Sequence, residues 1–132
     1  MHNITSPRPA TDDVIEQEIK AKGLTAPRIT PADIEAAIAS EHYFTAMDGV
    51  VGHADCPAIV AGVPTSSPLD LLTFCVLILR NGFTVTGESA CASPENFDAA
   101  IGKKIARANA VNKIWPLMGY ELRTLLQRAA EA

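Results

Sequence analysis

The chain is short of the groups that announce common chemistries. Among its 132 residues are only three cysteines, three histidines and 5% aromatics. Cys56, Cys75 and Cys91 form no Cys-x-x-Cys pair, and their odd number fits reduced thiols rather than a disulfide framework. His42 and His53 lie near Asp55 and Cys56, but the spaced ligand pairs of a zinc site are missing, so no metal is assigned. Cys91 and Ser89 could serve as nucleophiles, yet no histidine follows residue 53 to act as a local base, and no catalytic residue is assigned. Neither a Gly-x-Gly-x-x-Gly fingerprint nor a phosphate loop occurs, and no cofactor is implied. No apolar run reaches the roughly 18 residues of a membrane span. The opening Met1-His2-Asn3-Ile4-Thr5-Ser6-Pro7 lacks the basic and apolar regions of a secretory signal. These absences predict a cytoplasmic protein that is neither an enzyme nor a membrane component.

Charge is present but segregated. The net charge is −4, with five Lys/Arg against thirteen Asp/Glu in residues 1–98 and six against two in residues 99–132. An acidic total argues against a general nucleic-acid coat, which needs concentrated cations. The basic C-terminal third suits an anionic small molecule or an acidic partner.

The length fits one domain. Residues 1–29 read as a flexible arm plus a peripheral helix, opened by Thr11-Asp12-Asp13 and ended by Gly23. Residues 30–132 read as a single domain. Thr30-Pro31-Ala32-Asp33 supplies a cap, a proline at the first helical position and an acid at the third. Tyr43 and Phe44 are expected to be buried against a sheet. The stretch 47–68 is punctuated by glycine and proline and reads as a long loop. Ser93-Pro94-Glu95-Asn96 opens a helix by the same cap-plus-proline logic, with Phe97, Ile101, Ile105, Ala108, Val111 and Trp115 along one side. Trp115-Pro116 is expected to break it, and a last helix carries Met118, Leu122, Leu125 and Ala129.

Arg80-Asn81-Gly82-Phe83 is the most informative point. An apolar run lies upstream and the alternating Phe83-Thr84-Val85-Thr86 downstream, so Asn81-Gly82 reads as a two-residue turn of a β-hairpin. That register puts Phe74, Val76, Ile78, Phe83 and Val85 on a core face, and Thr73, Cys75, Leu77, Leu79, Thr84 and Thr86 on the other. The alternative keeps 69–80 as a helix with one strand at 83–86.

Anion binding is the most coherent positive reading. Thr84, Thr86, Ser89 and Ser93 offer hydroxyls, Asn96 lies at the helix start, and Lys103 and Arg107 offer cations four residues apart. Glu88, which has no helix terminus to explain it, suits recognition of a base edge or ribose.

The stretch from Phe74 to Cys91, together with Ser93-Pro94-Glu95-Asn96-Phe97-Asp98, Ile101-Gly102, Ile114-Trp115-Pro116-Leu117 and Gly119-Tyr120, resembles a small phage-protein family. That family is named for gene product forty-nine of coliphage N-four and gene product sixty-six of Shigella phage Sf-six. The likeness covers roughly residues 30–126, and Asn81 to Asn96 is its specific part. It implies a phage or prophage gene acting in the cytoplasm of an infected bacterium. The segment Leu79 to Val85 is also similar to the helix–Asn/Gln-Gly–strand opening of phage sponge proteins that sequester TIR-derived nucleotide signals without cleaving them.

The expectation is therefore an α+β domain: N-terminal helices, a central hairpin at Asn81-Gly82 and two C-terminal helices packed on one sheet face. Unpaired strand edges predict a homo-oligomer, such as a dimer with a joint sheet. The leading function is a non-enzymatic counter-defence sponge for a nucleotide-like immune messenger. The alternatives are a protein-interaction module inhibiting a host enzyme, or a DNA- or replication-associated factor.

Overall fold

The computed structural model describes residues 9–53 and 67–132, and the side chains of 12–53 and 67–132. Its class is α+β, with a three-stranded antiparallel sheet in the order β1-β2-β3. Helix α1 (Pro9–Ala21) precedes α2 (Pro31–Ala37), which runs directly into β1 (Ile38–Thr45) and then α3 (Ala46–Gly52). A 3-10 turn at Pro68–Leu71 leads into β2 (Leu72–Leu79) and β3 (Thr84–Ala90), and a second at Pro94–Asn96 precedes α4 (Ala99–Glu131).

Local chemistry explains most of these boundaries. Thr30 caps α2 through a reciprocal box: its hydroxyl accepts from the Asp33 N–H at 3.1 Å, and the Asp33 carboxylate accepts from the Thr30 N–H at 2.9 Å. Thr45 and Asp48 repeat the device at α3, so a helix occupies the start of the expected loop at 47–68. Residues 54–66 of that loop, with Asp55 and Cys56, lie outside the described residues. Gly23 ends the α1 region at φ +65°, and α1 is tied down by the Arg28 guanidinium on Glu16.

The hairpin at Asn81-Gly82 is present, as expected, but its turn differs. Leu79 N–H donates to Phe83 C=O at 2.8 Å, and Gly82 N–H donates to Leu79 C=O at 2.8 Å. The loop is thus Arg80-Asn81-Gly82, three residues long, with positive φ at Gly82 alone (+89°). One extra loop residue shifts the pairing by one, so Leu77 faces Val85 and Ile78 faces Thr84. A slip of one residue exchanges the faces. The core face is Thr73, Cys75, Leu77 and Leu79 with Val85, Gly87 and Ser89, while Phe74, Val76 and Ile78 share the opposite face with Thr84, Thr86 and Glu88. The face assignment drawn from a two-residue turn is corrected accordingly.

β1 completes the sheet along β2, pairing Tyr43 with Cys75 and Phe44 with Phe74. Tyr43 is half-buried on the core side; Phe44, expected to be buried, is 39% exposed and stacks on Phe74 at 5.4 Å between ring centroids.

The expected C-terminal helices are one helix of 33 residues with Pro116 inside it. Proline's fixed φ is helical, and its cost is one missing donor plus crowding of the carbonyl four residues back. The helix begins later than expected: Ser93-Pro94-Glu95-Asn96 forms the 3-10 turn, and Asp98 caps α4 by accepting from the Ile101 N–H at 3.0 Å. Helix α4 packs on the sheet through Gly102, Ile105, Ala106, Ala110, Val111 and Ile114. Gly102, Ala106 and Ala110 recur every four residues, so one helix edge is nearly flat. Gly87 lies against that edge, where a Cβ would meet the backbone of Ala106, Asn109 and Ala110.

Candidate functional site

The sheet separates the residues that sequence reasoning grouped together. Thr84, Thr86 and Glu88 project exposed side chains on the face away from α4, whereas Ser89 is buried at 4% exposure on the α4 face. Ser93 is half-buried and makes no side-chain capping bond; Asn96 is exposed in the 3-10 turn. Lys103 and Arg107 point from α4 toward β1 and α2.

Arg107 is already neutralised. Its guanidinium donates to both carboxylate oxygens of Glu35, at 2.8 and 3.2 Å, and through Nε to Glu41 at 3.2 Å. Two-pronged pairing of this kind fixes the guanidinium plane. The Tyr43 hydroxyl donates to the other Glu41 oxygen at 2.8 Å, and Lys103 Nζ stands 5.9 Å from the centroid of the Tyr43 ring. Glu41 is held below the usual carboxylate range, first by the Tyr43 hydrogen bond and then by Arg107. Burial and the same bond push the Tyr43 phenol well above its ordinary value.

A depressed carboxylate stabilises the fold above its unfolded pKa, and that contribution disappears as pH falls through the folded value. Glu41 is largely exposed and solvent screens the bond, so Tyr43→Phe is expected to cost only about 0.5–1 kcal/mol at neutral pH. In urea denaturation, the difference from wild type should shrink once the carboxylates protonate. A pH-independent difference would mean that Tyr43 acts through packing alone.

The nucleophile candidates are also inaccessible. Cys75 is likewise fully buried, its thiol pushed up by desolvation, and it packs as a small hydrophobe on the core face. Cys91 is buried, with Sγ donating to Ser93 C=O at 3.2 Å. Among the described residues no three His, Cys, Asp or Glu side chains gather into a possible metal site. Trp115, half-buried, donates from Nε1 to Asp12 at 3.2 Å.

Among the described residues, two surfaces bear on these readings. The first is the outer face of the sheet, with Phe44, Phe74, Val76 and Ile78 at its centre and Ser40, His42, Thr84, Thr86 and Glu88 around them. Sequence reasoning missed it because the one-residue turn difference assigned Phe74, Val76 and Ile78 to the core, and Phe44 was expected to be buried. The second is a groove of about 550 Å³ between the edge of β3 and α4, lined by Gly87, Glu88, Asn109, Asn112, Lys113 and Pro116 among others. Asn109 Nδ2 donates to the Glu88 carbonyl at 2.8 Å, and the Oδ1 atoms of Asn109 and Asn112 are buried without a protein partner. Asn109 and Asn112 carry no sequence motif that would have singled them out.

The likeness to nucleotide sponges implied a helix before Asn81-Gly82, and this chain has strand β2 there. Among the described residues, no helix is long and apolar enough to cross a membrane. The model of the phage protein (N4 Gp49/phage Sf6 gene 66) family matches residues 29–126. No curated protein and no solved structure gives a significant match.

Proposed function

Because this chain belongs to the phage protein family of N4 Gp49 and phage Sf6 gene 66, we propose that it is a non-enzymatic phage accessory protein, acting inside the infected bacterium by binding a host protein. The carrying observation is the outer sheet face, where Phe44, Phe74, Val76 and Ile78 form an apolar centre with a polar rim. That layout matches a protein interface more closely than a small-molecule cleft, which is concave. Inhibition of a host enzyme is the action proposed for that face.

The messenger-sponge reading moves to the β3–α4 groove, where Lys113 supplies a cation and Glu88 and the two asparagines supply polar contacts. It loses the original pairing of Lys103 and Arg107 with Thr84, Thr86 and Ser89.

Affinity capture from host lysate, run beside titration with a panel of cyclic and linear nucleotides, separates the two. A host protein retained by wild type and by Lys113→Ala, but lost from Val76→Arg, supports the interaction module. Nucleotide binding at micromolar strength or better, abolished by Lys113→Ala and unaffected by Val76→Arg, would replace it with the sponge.

A further inference from the structure

Helix α4 is much longer than the sheet it covers. Its 33 residues span about 50 Å, against about 25 Å for a strand of seven or eight residues. Beyond Ile114 no residue of the helix is buried. This distal half is nevertheless sorted into two faces. On one side Arg123 donates to Gln127 at 3.3 Å and Gln127 to Glu131 at 2.8 Å, an i,i+4 ladder suited to water. On the other, Trp115, Met118, Leu122, Leu125 and Ala129 alternate spacings of three and four, continuing Ala108 and Val111 from the packed half. This is the spacing of a coiled-coil seam. Leu125 is 54% exposed on it.

We propose that a second copy of this chain covers the stripe, the two distal halves of α4 pairing antiparallel about a two-fold axis. Charge selects the occupant and the direction. Glu121 and Arg128 flank the Leu125 side of the stripe seven residues apart, about 10 Å along one helix and too far to pair with each other. In an antiparallel pair, Leu122 meets Leu125 of the second copy and Met118 meets Ala129. Each Glu121 then comes within side-chain reach of an Arg128 from the other copy, twice by symmetry. A parallel pair in register would set Glu121 against Leu126 and leave Arg128 facing past the last residue, losing both charge matches. The antiparallel arrangement also brings the second copy's last helical turn beside Met118. There a groove of about 390 Å³ lies between α4 and the hairpin tip, lined by Leu79, Phe83, Leu117, Met118 and Glu121 among others. The seam is separate from the outer sheet face, so its failure leaves the proposed function standing.

Sedimentation equilibrium of the full chain tests this. Wild type is expected to show a concentration-dependent monomer–dimer equilibrium, and Leu125→Glu to be monomeric with unchanged far-UV circular dichroism. Glu121→Arg and Arg128→Glu should each weaken the dimer about tenfold, and the double swap should restore it to within about threefold of wild type. A wild-type monomer at every concentration overturns the inference. So does a dimer that ignores Leu125→Glu, or a double swap no tighter than the single ones.

Discussion

Gly87→Ala is expected to destabilise the protein by about 3 kcal/mol or more, at the upper end of what overpacking costs, and to leave little folded chain at 37 °C. The added methyl would meet main-chain atoms of Ala106, Asn109 and Ala110, its contact with the Asn109 carbonyl carbon being 2.9 Å. Backbone cannot rotate aside as a side chain can, so β3 and α4 would have to move apart. That separation would open the core at Cys75 and Val85 on either side of Gly87. Gly102→Ala is the control. There the new Cβ meets the Thr73 hydroxyl at 3.2 Å, a group that can shift, and alanine's better helix propensity offsets the crowding by about 1 kcal/mol. Urea midpoints for the two variants should differ widely; similar midpoints would mean that α4 does not lie as close to β3 as described.

Leu77→Ala should cost about 2–5 kcal/mol, the usual range for a fully buried leucine, whereas Val76→Ala, one residue away, should cost under about 1 kcal/mol. Leu77 has no exposed surface and sits among Ile34, Val85, Ala110 and Ile114 in the core. Val76 is half-buried on the opposite face between His42 and Thr86. The two-residue turn read from Asn81-Gly82 would reverse this ranking. Thermal denaturation of the two variants therefore checks the register itself.

The hairpin was legible because Asn-Gly between apolar and alternating segments is a strong local signal. Its loop length was not, because Arg80 carries nothing that tells a two-residue turn from a three-residue one. A central strand with large apolar residues on both faces, such as Leu72–Leu79, gives no internal clue to which side is covered. The caps at Thr30 and Asp33 were legible because both partners of the bond lie within three residues. The span of α4 through Pro116 was not, since proline's local preference is overridden by helix-forming neighbours on each side. The contact that sets the distance between helix and sheet is made by Gly87, Gly102, Ala106 and Ala110. Small residues contribute little to a hydrophobic pattern, so the stripe drawn through Phe97, Ile101 and Ile105 missed it. The fate of Arg107 depended on Glu35 and Glu41, more than sixty residues away in sequence, and no local pattern connects them.

Pro116 also divides α4 into two kinetic regimes. Upstream, the amide protons of residues 102–114 belong to the part of the helix locked on the sheet, and their exchange with solvent deuterium should require opening of the whole domain. Downstream, the missing donor at 116 interrupts the ladder where support by the sheet ends, so in the monomeric Leu125→Glu chain residues 119–131 should exchange within the fraying of a lone helical segment. A single rod would then display two protection levels differing by orders of magnitude, with the boundary set by an imino acid.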